Sequence, residues 1–129
     1  LGTLIRTADA FGFKTVIVTP ESADPYNPKV LRGAQGSHFH LNVLQRGALE
    51  AAESFKGIKI GTSLDDAVYI DDFNKPDGDI MLVLGNEGRG LTERTKQLMD
   101  INAKISMPGM SESLNVAIAG AILMHHFKS

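Results

Sequence analysis

The stretch Ile80-Met-Leu-Val-Leu84, followed by Gly85-Asn-Glu-Gly-Arg-Gly90, decides the fold more than any other part of this chain. Its first five residues are all apolar, which predicts a strand buried on both faces, as in parallel sheets. Its last six residues include three glycines, which permit positive φ angles and let a ligand approach the backbone closely. A tight strand-to-helix turn would account for the glycines equally well. Glu87 and Arg89 favour a binding loop, because a turn needs neither side chain, whereas a polar or phosphorylated ligand can use both.

A second glycine-bearing loop separates Ile105 from Asn115, and it contains a Pro-Gly turn and two serines. We predict a strand over residues 104–107 and a helix over 113–127, with Ser111 or Ser113 as the N-cap. Asn115 would then lie in the first helical turn, where N–H groups can hold an anion and an amide can hold a hydroxyl. The serines do not fit the GxSxG turn of serine hydrolases, so a nucleophilic serine has little support.

Helices and strands are predicted to alternate along the chain. Helices are expected over residues 1–11, 28–32, 46–55, 92–99 and 113–127, and strands over 14–19, 38–43, 58–61, 68–70, 80–84 and 104–107. This order is typical of an α/β domain with a mainly parallel sheet flanked by helices. Ligands of such sheets bind at the carboxyl ends of strands, where both glycine-bearing loops fall. The chain opens in a helix, so either the fold lacks a first strand or the sequence is a fragment.

Length and composition fit one soluble domain of 129 residues with a real core. No signal peptide is recognisable, and the most apolar stretch, Val116 to Met124, is too short to span a membrane. The lack of cysteine excludes disulfides, thiolate zinc sites and cysteine nucleophiles, and a cytoplasmic location is the default expectation. Because the net charge is −2, any RNA contact must use a local patch, a groove between two copies or a further domain.

Three further side chains invite a functional interpretation. His38 and His40 would share one face of a predicted strand, which could suggest a metal. With no third ligand in reach by sequence, ordinary strand histidines are the favoured interpretation, and we expect no metal. Arg6 lies in the middle of the first predicted helix beside Thr7 and Asp9, where an arginine usually faces solvent or forms an ion pair.

Together, these segments resemble the SpoU (TrmH-like) RNA 2′-O-ribose methyltransferases of the SPOUT superfamily. Three motifs match in the family's order and cover essentially the whole chain: Leu1-Gly-Thr-Leu-Ile-Arg6-Thr-Ala-Asp-Ala-Phe-Gly12, Leu82-Val-Leu-Gly-Asn-Glu-Gly-Arg-Gly-Leu91, and Ile105-Ser-Met-Pro-Gly-Met-Ser-Glu-Ser-Leu-Asn-Val-Ala117. The resemblance implies a single SPOUT catalytic domain over residues 1–129, with a C-terminal trefoil knot, a rare exception to unknotted topology. It also implies a homodimer.

The resemblance further implies a cofactor and a reaction. S-adenosylmethionine would bind mainly to backbone around Leu84, Gly85, Ile105, Met107, Ser113 and Leu114. A methyl group would pass to a ribose 2′-hydroxyl of tRNA or rRNA, with Arg6, Glu87 and Asn115 as the catalytic set. Arg6 and Arg89 would contact RNA. Arginine is a poor general base because its pKa is high, so the resemblance supports the location of Arg6 more strongly than a basic role.

The chain departs from the family at its start, because the strand and the asparagine that normally precede Leu1 are absent. We therefore expect the natural protein to extend N-terminally. Two alternatives stay open: a binding module for RNA or a nucleotide that keeps the fold without methyl transfer, and a different α/β nucleotide-binding enzyme. The second has less support, because Gly85 to Gly90 reads GxxGxG rather than the dinucleotide GxGxxG and lacks the P-loop GK[ST].

Overall fold

The computed structural model describes residues 1–19, 24–63, 67–85, 91–109 and 115–128, and within these ranges helices and strands alternate. The α-helices are α1 (Gly2–Ala10), α2 (Pro28–Ala34), α3 (Ala48–Ser54), α4 (Glu93–Leu98) and α5 (Val116–His126). The strands are β1 (Thr15–Val18), β2 (Asn42–Gln45), β3 (Ile58–Thr62), β4 (Val68–Tyr69), β5 (Ile80–Val83) and β6 (Ile101–Lys104). Short 3-10 helices cover Ser37–Phe39 and Ile70–Asp72. Among these described residues, no helix combines the length and apolar character needed to cross a bilayer.

Every hydrogen-bonded strand pair among the described residues is parallel. β1 pairs with β2, and a second sheet has the strand order β4-β6-β3-β5. Parallel neighbours need a crossover connection rather than a hairpin, and helices commonly supply it. Here α2 lies in the chain between the paired strands β1 and β2, and α4 lies between β5 and β6, which pair with the two sides of β3. The predicted α/β class, with parallel strands flanked by helices, is confirmed.

Two clusters of buried side chains form the core, and α5 contributes to both. The first cluster lies under α1, α2 and the two-stranded sheet, and it receives Met124 from α5. The second lies on β3 and β6, and it receives Leu123 and Phe127 from the end of the same helix. Leu82 of β5 packs against both clusters. The C-terminal helix therefore ties the two sheets together.

Two helix starts follow directly from capping chemistry. Asn27 precedes α2, and its Oδ1 accepts the Val30 N–H at 2.9 Å, while Pro28 occupies the first helical position. Thr92 precedes α4, and its Oγ1 accepts the Thr95 N–H at 3.2 Å. In both cases a side-chain oxygen satisfies an N–H group that the helix itself leaves unpaired. Both predicted starts are confirmed.

The strand predicted over residues 38–43 is wrong at its start. Gln35 and Gly36 both have positive φ angles, 49° and 86°, and turn the chain into the 3-10 helix Ser37–Phe39. β2 begins only at Asn42. The alternation of histidine with apolar residues is typical of a strand, but Gln35 and Gly36, both in the left-handed region, turn the backbone before a strand can begin. His38 and His40 therefore do not share a strand face.

Two further strand predictions need correction. β5 is less buried than predicted, since all four of its residues are only half-buried, and among the described residues it forms an edge of the four-stranded sheet. β6 covers Ile101–Lys104 rather than residues 104–107, so Ile105 and Met107 lie in the segment after the strand. The carboxyl end of β6 is thus reached earlier than predicted, and more of the third motif belongs to the loop.

The edges of the two sheets approach each other at β1 and β5. A hollow of about 270 Å³ lies between them, lined by Ile17 of β1 and Met81 of β5 among others. The two sheets are not hydrogen-bonded to one another at this place within the described residues. The expected strand before Leu1 stays a prediction.

Candidate functional site

The carboxyl ends of three neighbouring strands lie side by side at one end of the larger sheet. β3 lies between β5 and β6, so the loops that follow β5 and β6 emerge on either side of it. Thr62, the last residue of β3, ties one of these loops down. Its Oγ1 accepts the Gly85 N–H at 3.3 Å and lies 3.5 Å from the Val83 carbonyl oxygen. The first glycine of the loop is therefore held at a defined place beside the end of β3.

Thr62 was missed by the sequence reasoning. The strand was predicted to end at Gly61, and the hydroxyl one position later carried no motif of its own. A polar side chain at the carboxyl end of a central parallel strand was the available signal, since such positions face the ligand edge of the sheet.

Leu84 and Ile105 begin the two loops, and both side chains pack against the second core cluster. Their side chains are thereby used in packing. What remains at the two strand ends is chiefly peptide groups, among them the carbonyl group of Gly85, whose N–H is bonded to Thr62. Met107 is half-buried two residues after Ile105. An edge lined by backbone in this way suits a ligand that is recognised by its shape and by peptide hydrogen bonds.

Gly120 on α5 brings the first and second motifs together. A Cβ atom added at Gly120 would lie 2.6 Å from Leu4 Cδ2 and 2.9 Å from Leu84 Cδ1, both closer than ordinary carbon contacts. The absence of a side chain therefore lets α1 and the end of β5 approach α5 at the same point. Leu4 belongs to the helix that carries Arg6, so the first-motif helix is fixed relative to the second-motif strand.

The prediction that Asn115 lies in the first turn of α5 is wrong, because Asn115 is the N-cap of that helix. Its Oδ1 accepts the Ala117 N–H at 2.7 Å, and the helix begins at Val116. The predicted cap at Ser111 or Ser113 falls outside the described residues. The oxygen of the Asn115 amide is used in capping, so the Nδ2 group is the part of the side chain that capping leaves for a ligand.

Arg6 lies on the solvent-facing side of α1. Leu4, two residues earlier, faces α5, so the two side chains leave the helix in different directions. Among the described site residues, no hydrogen bond or ion pair joins Arg6 to Gly85, Met107 or Asn115. The structure thus fixes the helix that carries Arg6 but leaves its guanidinium exposed.

Asp9, one turn after Arg6, pairs with His40. The Asp9 Oδ2 and His40 Nδ1 atoms are 2.8 Å apart. Hydrogen bonds from His40 and Ser37 and the charge of His40 lower the pKa of Asp9 below its ordinary value, although partial burial opposes this. Within the described residues, no three acidic or imidazole side chains are grouped as metal ligands would be.

Four of the predicted site residues lie outside the described ranges: Glu87, Arg89, Ser113 and Leu114. Their assignment rests on the sequence motifs. The described residues include the elements that flank the two loops, namely the ends of β5 and β6 and the start of α5, together with α1.

A larger hollow lies at the opposite end of the sheet. It measures about 550 Å³ and is lined by residues just before and at the start of β3 and just before β5, including Lys56, Asp77 and Asp79. In parallel sheets, ligands bind at the carboxyl ends of the strands. This hollow at the amino ends therefore does not belong to the predicted site.

Comparison with known proteins gives a consistent result. The chain matches the SpoU rRNA Methylase family over residues 1–125. It is 40% identical over 131 residues to the 23S rRNA (guanosine(2553)-2′-O)-methyltransferase RlmP of Bacillus subtilis, covering 99% of this chain and 52% of that protein. The chain spans about half the length of the curated relatives it matches.

Two solved structures share the fold closely. The AdoMet-bound rRNA methyltransferase from Sinorhizobium meliloti superposes with a TM-score of 0.91 at 28% identity, covering 98% of this chain and 50% of that chain. The SpoU methyltransferase AviRb from Streptomyces viridochromogenes, in complex with AdoMet, superposes with a TM-score of 0.82 at 29% identity, covering 98% of this chain and 53% of that chain.

Proposed function

Since the chain belongs to the SpoU rRNA Methylase family, we propose that it transfers a methyl group from S-adenosylmethionine to a ribose 2′-hydroxyl of RNA. The observation that carries this proposal is the family match over residues 1–125, which contains all three motifs. The RlmP relative is named as a 2′-O-methyltransferase of 23S rRNA, which favours rRNA over tRNA as the substrate. The cytoplasm is the compartment that this substrate implies.

The described residues fit the methyl donor by their backbone. Leu84 and Gly85 follow β5 and Ile105 follows β6, on either side of the end of β3, and Thr62 fixes Gly85. Met107 follows in the second loop, and Ser113 and Leu114 complete the set that we assign to this ligand. When bound, S-adenosylmethionine supplies an electrophilic methyl group on sulfur. Leu84 also packs against α5 at Gly120, so the proposed donor site is in contact with the middle of that helix.

The transfer is an in-line displacement. The ribose oxygen forms a bond to the methyl carbon, the carbon–sulfur bond breaks with its electron pair remaining on sulfur, and the hydroxyl proton leaves to a base or to water. Such a step depends strongly on orientation. We assign Glu87 and Asn115 to orienting the ribose, and the Nδ2 group of Asn115 can donate to a ribose oxygen while Oδ1 caps α5.

We assign Arg6 and Arg89 to RNA contacts. A guanidinium binds phosphate oxygens through two parallel hydrogen bonds and stays charged at any physiological pH. Arg6 therefore positions the RNA near the attacking hydroxyl and does not itself remove the proton. Its exposure on α1 is consistent with a partner that arrives from solvent.

We further propose that the working unit is a homodimer with α5 as its contact helix. Ile118 and Ile122 of this helix are 54% and 36% exposed, although both are large and apolar. They lie one turn apart and so form a short apolar stripe on the outer side of the helix. A second copy would cover this stripe.

The test is tritiated-methyl transfer from labelled S-adenosylmethionine into total RNA from cells that lack this protein, followed by mapping of the labelled nucleotide. Label on a ribose 2′-oxygen is the expected result. Glu87→Ala should suppress the label, whereas Glu53→Ala, which removes an exposed carboxylate from α3, should not. Binding of S-adenosylmethionine without any label would favour the alternative, an RNA- or nucleotide-binding module without transfer. If the protein neither binds S-adenosylmethionine nor transfers label to RNA, the proposal is overturned.

A further inference from the structure

Phe39 stands out among the large apolar side chains of the described residues, because it is 91% exposed. Single exposed apolar residues are common on protein surfaces. An aromatic ring that is almost completely in water is less easily explained, since it packs against almost nothing in its own chain. The ring belongs to the 3-10 helix Ser37–Phe39, between two histidines.

The backbone on both sides of this ring is held in place. The Phe39 N–H donates to the Gly36 carbonyl oxygen at 3.0 Å, and the His40 N–H donates to the Ser37 carbonyl oxygen at 2.9 Å. Ser37 is buried. The outward position of Phe39 is therefore set by an ordered turn.

The histidines beside Phe39 are anchored as well. The His38 ring lies 5.2 Å from the Tyr26 ring, and its Nε2 donates to the Pro25 carbonyl oxygen at 2.7 Å. On the other side, His40 is bonded to Asp9 of α1. His38 is thus turned toward the protein, whereas the His40 side chain is hydrogen-bonded but 66% exposed, and Phe39 is the most exposed residue of the turn.

This turn lies beside the helix that carries Arg6. The bond between His40 and Asp9 joins it to α1, and Asp9 is one helical turn from Arg6. The turn that carries Phe39 is therefore held against the same helix as Arg6.

The charge of this part of the chain suits a polyanion. Residues 1–46 contain five Lys or Arg and three Asp or Glu, a net charge of +2, whereas residues 47–129 contain eight and twelve, a net charge of −4. The chain as a whole has a negative net charge, but its N-terminal third is basic. Positive charge combined with an exposed aromatic ring is the pattern by which proteins bind unpaired nucleotides.

We propose that Phe39 is a stacking platform for an unpaired base of the RNA substrate, next to the site served by Arg6. The inference rests on the proposed function. An aromatic face stacks on any base, so Phe39 would add affinity and hold the strand without reading its sequence. A second copy of the chain is a weaker fit for this surface. A stable protein interface buries about 800 Å² per partner, and one ring flanked by anchored polar groups offers only a small part of that area.

The first test compares the affinity of the full-length protein for purified 23S rRNA and for bulk tRNA before and after Phe39→Ala. We expect binding to weaken about 5- to 100-fold, the usual effect of losing one stacked base. The slope of affinity against salt concentration should stay unchanged, because no phosphate contact is removed. Val68→Ala, at an exposed apolar site on the edge of the other sheet, should leave affinity unaltered.

The second test uses fluorescence, because the chain contains no tryptophan. Phe39→Trp places an indole at the proposed platform, and stacking on a base should quench its emission when RNA is added. Tyr69→Trp, on β4 of the other sheet, is the matched control and should show no such quenching. Light scattering by both variants without RNA reports their oligomeric state.

The outcomes separate this inference from the proposed function. If the unaltered protein methylates one of these RNAs but Phe39→Ala binds it normally and Phe39→Trp is not quenched, the platform is excluded and the methyltransferase stands. If Phe39→Ala instead separates a dimer into monomers, the ring covers a second copy and the inference is overturned. If the unaltered protein labels no RNA, the proposed function itself is overturned.

Discussion

Asn115 has one observed role and one proposed role. Its carboxamide oxygen caps α5, and its amide nitrogen is assigned to the ribose. The motif alone suggested a polar residue inside the first turn, but the cap places it just before the helix. An asparagine suits this position because it combines one acceptor and one donor in a single rigid group.

Substitutions at Asn115 should separate these uses. Asn115→Ala removes the cap and should lower the free energy of unfolding by about 1 kcal/mol, and it should also suppress methyl transfer. Asn115→Asp keeps a capping oxygen but loses the donor, so stability should stay near that of the unaltered protein while transfer falls. Urea unfolding and the labelled-methyl assay measure the two effects. Full activity in Asn115→Asp would rule out the assigned donor.

The pair of Asp9 and His40 should make stability depend on pH in the acid range. Because the pKa of Asp9 is lowered in the folded chain, its contribution is fully present above the ordinary carboxyl pKa of 3.8. It is lost as the pH falls through the lowered folded-state value. Carboxyl NMR signals should therefore show Asp9 titrating at higher pH in His40→Ala than in the unaltered protein. Identical titration curves would show that His40 does not hold the carboxylate.

Among the elements, helices with a capping side chain were predicted more accurately than strands. The starts of α2 and α4 follow from Asn27 and Thr92, whose hydrogen bonds are local in sequence. Strand limits depend on where a partner strand ends, which no local pattern records. This is why the third-motif strand was placed three residues too late and why β5 was assumed to be covered on both faces.

The packing of α5 on α1 and β5 should be sensitive to one methyl group. Gly120→Ala would bring a Cβ atom into Leu4 and Leu84, and we expect a loss of about 1–3 kcal/mol in the free energy of unfolding. Binding of S-adenosylmethionine should weaken in parallel, because Leu84 begins the second-motif loop. Calorimetry measures both quantities.

Gly47→Ala is the control for this substitution. A Cβ atom there meets nothing within 4 Å, and the φ angle of −64° suits alanine. Its effect should stay below about 1 kcal/mol, the scale of an altered N-cap. If Gly120→Ala were equally mild, Leu4 and Leu84 would have to move aside without loss, and the proposed link between α5 and the donor site would fail.

For the molecule as a whole, α5 decides how the parts are joined. Ile118, Ile122 and Leu123 are apolar residues that lie within two turns of one another on this helix. The structure divides this set, because Leu123 is 1% exposed while the two isoleucines face outward. Apolar residues surround the helix on all sides, so its pattern alone could not tell which side meets the core.

The outward isoleucines give a direct test of the proposed dimer. Ile118→Glu combined with Ile122→Glu should leave the fold intact, since both side chains are already exposed, and should convert a dimer to monomers. Light scattering coupled to size exclusion measures the mass. Val68→Glu, at a similarly exposed site on β4, should not change it. A double variant that remains dimeric would place the interface elsewhere.

The amino-acid sequence by itself determined the family, the α/β class, the order of elements and the two glycine-bearing loops that we assign to the site. These properties are encoded in local patterns: apolar runs, capping residues and glycines spaced along short segments. Only the tertiary structure decided that β5 is an edge strand, that Thr62 holds Gly85, that His40 pairs with Asp9, and that Phe39 points into solvent. Each of these depends on which distant segments meet, and that is settled by packing across the whole core.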